Sequence, residues 1–276
     1  MRLARWGLYA IASVSLLVGI GHVLQAASDT QLTAACEASR GDFASVLEEQ
    51  CRNLSRETQN VAVIVETREQ VLLPVVLENV ASVLNWTIHL IYGDANAEFV
   101  VKLAVVRRLQ AEGRLRLLTV RNSMRSFDWA WAAWAGARGS YNCLLKSPAF
   151  WNCSAAEHIL IFQSDSVLCN SSEQSIEDFL RYDYVGAVWP GGRVGNGGLS
   201  LRRRSTMLDL AIKYQRHGKF PANEDEFFSW GLRRHFRQRL APAWVAEAFA
   251  TDQVYAEAVG RSQETLRIKC RSSVFS

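Results

Sequence analysis

Three short stretches gather the side chains that could do chemistry. In "FQSDS", Gln163 and Asp165 follow directly on an apolar run. A carboxylate placed there projects into the crevice beyond the carboxyl ends of strands, where open α/β sheets take ligands. It can serve a hard divalent cation such as Mn²⁺ or Mg²⁺, for which one or two carboxylates plus substrate phosphates suffice. The alternative is a turn aspartate that caps the next segment together with Ser166. In "NEDEFF", Glu224, Asp225 and Glu226 fall in a first helical turn behind Asn223, a residue suited to the N-cap. The helix dipole favours acids there without any function. The functional alternative makes Asp225 or Glu224 a general base that takes a proton from a hydroxyl. In "VGNGGLSLRRR", Gly195, Gly197 and Gly198 precede an alternating strand. Glycine costs backbone entropy, so the chain must come close to something there or turn left-handed. Arg202 and Arg204 share one strand face and Arg203 the other, so the three cannot converge, although one can meet a phosphate.

The elements that must position these residues alternate. "NVAVIVETRE" is a buried strand closing in Glu66 and Arg68. Pro74 opens a helix with Leu77, Val80, Ala81 and Leu84 at helical spacing. "WTIHLIYG" is a second strand, "AEFVVKLAVVRRLQAEG" a helix and "RLRLLTV" a third strand. This order predicts parallel βαβ units with right-handed crossovers. Trp129, Trp131 and Trp134 follow, read mainly as packing residues. His158 to Phe162 form a further buried strand, "IEDFLRYDYVGAVW" a helix and a strand, and "LSLRRR" another strand. "STMLDLAIKYQRHG" and "NEDEFFSWGLRRHF" are helices. His89 and His158 lie in apolar strands and read as core or edge residues rather than metal ligands.

The chain of 276 residues is 49% hydrophobic and 21% charged, the balance of an ordinary globular protein. A net charge of +4 is too small to argue for nucleic acid. After Arg2 and Arg5, no charged residue occurs from Trp6 past Leu24, a span sufficient to cross a bilayer. The flanking arginines favour a cytoplasmic N-terminus. A cleaved signal ending near Ala26, Ala27 and Ser28 is the alternative. Sequons at Asn53, Asn85, Asn152 and Asn170 agree with the secretory pathway, Asn53 and Asn170 being the better placed. The six cysteines suit a disulfide-permissive compartment. Proximity pairs Cys36 with Cys51 and Cys143 with Cys153, and no C-x-x-C spacing suggests zinc.

Together, "VIVETRE", "YNCLLKSPAFW", "ILIFQSDSVLC", "YDYVGAVW", "VGNGGLSLRRR" and "NEDEFF" resemble, in this order, a eukaryotic family of glycosyltransferase-like proteins of GT-A type with mostly unassigned substrates. The resemblance implies a GT-A-like (Rossmann-like) α/β fold, with a mostly parallel sheet flanked by helices. It places Asp165 where the metal-binding Asp-x-Asp motif of such folds ends, with Gln163 and Ser164 in place of further carboxylates. Glu66, Arg68, Gln163, Asn196, Gly197, Gly198 and Arg202 fall where a nucleotide sugar is held. Asp225, with Glu224, matches the acidic pair near the acceptor, and the glycines let main-chain N–H groups approach a sugar or phosphate. The family pattern continues into an aromatic-Gly-x-His element. Here the chain reads "QVYAEAVGRSQETLRIKCRSSVFS" after "AEAFATD", with no histidine beyond His235.

The expectation is therefore a single-pass type II protein of the Golgi or endoplasmic reticulum membrane. A cytoplasmic tip and anchor span 1–28, a stem 29–59, a catalytic domain 60–252 and a divergent tail 253–276. It would move a sugar from a nucleotide-sugar donor to a glycan, protein or lipid acceptor with Mn²⁺ or Mg²⁺. The alternative is an inactive lumenal module that binds nucleotide sugars or glycans on the same fold.

Overall fold

A computed structural model describes residues 50–51, 60–120, 141–170, 172, 174–189, 191–214 and 223–251. The apolar N-terminal run, Asn53, the tryptophans at 129, 131 and 134, Cys36, Cys270 and the tail beyond 251 lie outside the described residues. Among those described, no helix is long and apolar enough to cross a membrane.

Six strands form one mixed sheet: β1 (Val61–Val65), β2 (Thr87–Gly93), β3 (Leu115–Val120), β4 (His158–Phe162), β5 (Tyr184–Gly186) and β6 (Leu199–Arg203), in the order β3-β2-β1-β4-β6-β5. β1, β2, β3 and β4 run parallel, whereas β6 is antiparallel to both β4 and β5. The α/β fold expected from the alternating pattern is present, with helices on both sheet faces. In β1 the side chains alternate between two cores. Ala62 and Ile64 face a core with α1 (Leu73–Val83), α2 (Ala97–Lys102), α3 (Ala104–Ala111) and α7 (Ala243–Phe249). Val61 and Val63 face the other, with α4 (Pro148–Asn152), α5 (Arg204–Tyr214) and α6 (Glu224–His235). Burial on both faces is why these strands read as continuous apolar runs.

Four local expectations need correction. "AEFVVKLAVVRRLQAEG" is two helices, because Leu103 between α2 and α3 is extended (φ −64°, ψ 125°). An unbroken helix would turn Val100 and Val105 about 140° apart; the break lets both enter one core. "IEDFLRYDYVGAVW" contributes only a 3₁₀ turn over Ile176–Phe179 and the short β5. Arg204 begins α5 instead of continuing β6. The proximity pairing of cysteines also fails. Cys51 is bonded to Cys153, 102 residues away, with Cα atoms 4.7 Å apart, which excludes both Cys36–Cys51 and Cys143–Cys153. Cys143 and Cys169 are disulfide-bonded as well. Gln50, read as stem, lies against β3, its side-chain amide donating to Thr119 O at 2.9 Å and accepting from Thr119 N at 2.8 Å.

The amino edge of the sheet is closed by ion pairs. Asp183 is buried and accepts from Arg203 Nε (2.8 Å), Arg239 Nη1 (3.1 Å) and Thr206 Oγ1 (2.5 Å). His158, at the start of β4, sits between Asn60 Oδ1 and Leu180 O at 3.2 and 3.0 Å. Burial pulls its pKa below the usual imidazole range, with Arg203 adding to the effect. It is an edge residue, as its apolar strand suggested.

Candidate functional site

The carboxyl ends of β1 and β4 and the start of antiparallel β6 lie at one sheet edge, since Phe162 pairs with Leu199. Glu66 and Arg68 follow β1, Gln163 and Asp165 follow β4, and Asn196, Gly197 and Gly198 precede β6 at this edge, whereas Arg203 and Arg204 lie at the opposite end of β6. Glu66 follows β1 and is buried; its carboxylate grips Arg68 through Nε (2.9 Å), Nη2 (3.0 Å) and the Arg68 N–H (3.0 Å). Asn96 ties this turn down by donating to Glu66 O and Arg68 O and accepting from Gly93 N. The Glu66 hydrogen bond raises the Arg68 pKa, and the charge of Asp165 adds to it, so the β1 and β4 turns share one field. Both Glu66 oxygens are engaged with Arg68. Asp165 itself is exposed.

The β4 turn is joined to the glycine bend. Ser166 Oγ accepts from Gln163 N (3.0 Å) and donates to Gly198 O (3.2 Å). The Gly198 N–H donates to Asn196 Oδ1 (2.9 Å), and the Gly197 N–H to Asp225 Oδ2 (3.2 Å). These two N–H groups are therefore spent inside the protein, which revises the reason for the glycines. A Cβ on Gly197 would meet Glu224 Oε1, Arg202 Nη2 and Asp225 Cβ. One on Gly186 would collide with Asn196 O. The missing side chains make room for the protein's own acids and backbone, and only Gly195 of this bend needs a positive φ (138°).

α6 delivers the acids. Its N-cap, Asn223, is extended (φ −76°, ψ 139°) but makes no side-chain cap. Asn142, in a helical stretch over 141–146, accepts from the Glu224 N–H instead, at 2.8 Å. Glu224 is buried and holds the fully buried Arg202 by both carboxylate oxygens, Oε2 to Nη1 and Oε1 to Nη2 (3.1 Å). Burial acts to lower the Arg202 pKa, but Glu224 outweighs it and the net shift is upward. The guanidinium stands 4.8 Å from the Tyr184 ring centroid and 5.7 Å from that of Phe228. Arg203 and Arg204 turn instead to Asp183 and Glu157. The three arginines do diverge, but the one nearest the site carries an internal partner.

Asp225 differs from Glu224. Burial, and then the neighbouring Glu224 charge, push its pKa up to about 6, against hydrogen bonds from Glu226 N (2.8 Å) and Gly197 N that lower it. A half-buried carboxylate with that proton affinity can accept a proton near neutrality. Asn142 and Tyr141 were not assigned roles from sequence, although both stand in the "YNCLLKSPAFW" stretch. Among the described residues no three His, Cys, Asp or Glu side chains cluster as a metal cage. Asp165 offers a single carboxylate, which fits only an ion held mainly by ligand oxygens. His235 is exposed at the far end of α6, with Lys213 Nζ 3.4 Å from its Nδ1.

No curated protein matches the chain. Among solved structures it is similar to the glycosyltransferase GlyE of Streptococcus pneumoniae TIGR4, with a TM-score of 0.43 and 14% identity over 77% of this chain. The chain spans 52% of that protein's length. It is also similar to the PaToxG glycosyltransferase, with a TM-score of 0.38 and 12% identity over 88% of this chain and 96% of that one. A family pattern matches residues 123–268, which include Tyr141, Asp165, the glycine bend, Arg202 and the acids of α6 and run past residue 252. The chain belongs to that family, described as a protein of unknown function, DUF5672.

Proposed function

We propose that the chain is a nucleotide-sugar-dependent glycosyltransferase on a GT-A-like fold, acting on the lumenal side of a Golgi or endoplasmic reticulum membrane. The observation that carries the reading is the meeting of Asp225, Gly197 and Arg202–Glu224 at the sheet edge where β1 and β4 end. Ligands of open α/β sheets bind beyond such strand ends. Glu66, Arg68, Gln163, Asn196, Gly197 and Gly198 line the donor side in this reading, with Arg68 as the exposed cation for a diphosphate. Asp165 would be the one protein ligand of Mn²⁺ or Mg²⁺, whose chemistry is to neutralise charge on a departing diphosphate. Asp225 takes the proton of the acceptor hydroxyl as that oxygen bonds to the anomeric carbon. The bond from that carbon to the diphosphate breaks, so a single displacement inverts the configuration. Arg202 and Glu224 do not touch substrate; they hold the first turn of α6, and with it Asp225, against the bend.

The test is nucleoside diphosphate release by the full chain, made in a secretory host, across a panel of nucleotide sugars with Mn²⁺. Asp225→Asn is expected to lower release about 10²- to 10⁴-fold, and Asp165→Ala to remove its metal dependence. Release untouched in both variants would refute the site. Tight donor binding without turnover would favour a second reading, an inactive lumenal binding module. That reading draws on Arg202 and Glu224 being spent on each other.

A further inference from the structure

The hydroxyl of Tyr141 is enclosed by protein and, among the described residues, has no hydrogen-bond partner. Its polar surroundings are Glu224, Arg202, Gln163 and Asp225, the centre of the candidate site. Gln163 comes close enough to favour the phenolate slightly without reaching hydrogen-bonding geometry. Burial and the Glu224 charge raise the phenol's pKa, so the group is a permanent donor. Its position is fixed by the next residue, because Asn142 Oδ1 accepts from the Glu224 N–H at 2.8 Å. An unmade hydrogen bond in such a place costs the desolvation of the group and returns nothing in the free protein. Retaining it makes sense where a ligand completes it.

We propose that Tyr141 donates a hydrogen bond to a sugar hydroxyl bound beside Asp225. The charges around it select that chemistry. Glu224 is bound to the Arg202 guanidinium, whereas the Asp225 carboxylate is met by the Glu226 and Gly197 N–H groups and stays a centre of negative charge. A phosphate or carboxylate at the same spot would face a like charge in a poorly screened setting. A neutral hydroxyl suits both neighbours, accepting from the phenol and donating to the carboxylate. The hydroxyl can come from the donor sugar or from the acceptor. This inference rests on the glycosyltransferase reading and adds a binding residue to it.

Tyr141→Phe tests it by thermal unfolding of the full chain in mild detergent. The probes are uridine and guanosine diphosphates, their hexose conjugates, and free hexoses. Removing an orphan hydroxyl leaves Tm unchanged or raises it, which a structural role for the phenol would not allow. The bare diphosphates should stabilise wild type and variant equally. The added stabilisation by the sugar should correspond to binding weakened about 5- to 10-fold in the variant. Loss with the conjugates assigns the hydroxyl to the donor; loss only with free hexoses assigns it to the acceptor. A variant that unfolds at lower temperature, or that responds to sugars as wild type does, overturns the inference and leaves the parent reading standing. A wild type stabilised by bare diphosphates alone overturns it too. A wild type stabilised by none of the probes removes the glycosyltransferase reading and this inference with it.

Discussion

Arg202 and Glu224 join β6 to the first turn of α6 through two parallel hydrogen bonds, with both side chains out of solvent. Ser200 completes the arrangement, its Oγ accepting from Arg202 Nε at 2.9 Å. The pair fixes the one helix end that carries the candidate base.

Breaking it from one side strands a buried charge. Arg202→Leu or Glu224→Gln should each cost about 3–5 kcal/mol, read as a lower urea midpoint with unchanged m. In Glu224→Gln the like charge beside Asp225 disappears while Arg202 stays positive. The Asp225 pKa should therefore fall below its value of about 6, which ¹³C-detected carboxyl titration would follow.

Asp225 makes stability and activity run oppositely with pH. Its folded pKa, about 6, lies above the unfolded value of 3.8. Between them the folded state holds the extra proton, so its contribution is complete below pH ~4 and is lost as pH rises through ~6. Two units correspond to at most about 3 kcal/mol. Wild type should lose stability from pH 4 to 7 more steeply than Asp225→Asn does. Over the same range the rate of transfer should rise as the carboxylate forms, and this rise should vanish in the variant.

A methyl group on Gly197 would press on Arg202 Nη2 and Asp225 Cβ, both 2.8 Å away, and on Glu224 Oε1. Gly197→Ala should destabilise by about 1–3 kcal/mol and also displace Asp225, lowering turnover beyond the stability loss. Gly113→Ala is the control. Its φ of 72° strains the backbone, yet nothing lies within 4 Å and it stands away from the site. Its expected loss is about 1 kcal/mol, with turnover unaffected.

The Cys51–Cys153 bond closes a loop of 102 residues. Cys51→Ser should lower stability by about 3–5 kcal/mol, measured by unfolding with the remaining disulfides intact. Peptide mapping without reduction should recover residues 51 and 153 in one linked fragment.

Sequence periodicity made the scaffold legible. The runs at 61–65 and 158–162 read as continuous apolar strands because both sheet faces bury them. The runs at 87–93 and 115–120 still carry enough apolar residues on both faces to be read as strands despite Thr87, His89, Arg116 and Thr119. The start of α6 was equally visible, since three acids behind an asparagine suit a helix N-terminus. Partner choice was not. Nothing in "LSLRRR" says that Arg202 ends in the core while Arg203 meets Asp183, because the acids lie 20 or more residues distant in sequence. The N-cap misled for the same reason: Asn223 is the right type in the right place, yet the first-turn N–H groups of Glu224 and Glu226 go to Asn142 from another segment and to Asp225. The glycines signalled crowding correctly but could not say whether ligand or protein does the crowding.

Both borders of the sheet are partly covered by contacts outside its strands. At β3, the Gln50 amide occupies the main chain of Thr119. At β5, Arg239 O and the Ala241 N–H satisfy Asp183 and Tyr184. An open border is a template for self-association. A shortened chain begun at residue 60 would bare the first border and leave Cys153 a lone thiol, inviting precipitation and crosslinked dimers. Recombinant work on the domain should keep the residues around 50.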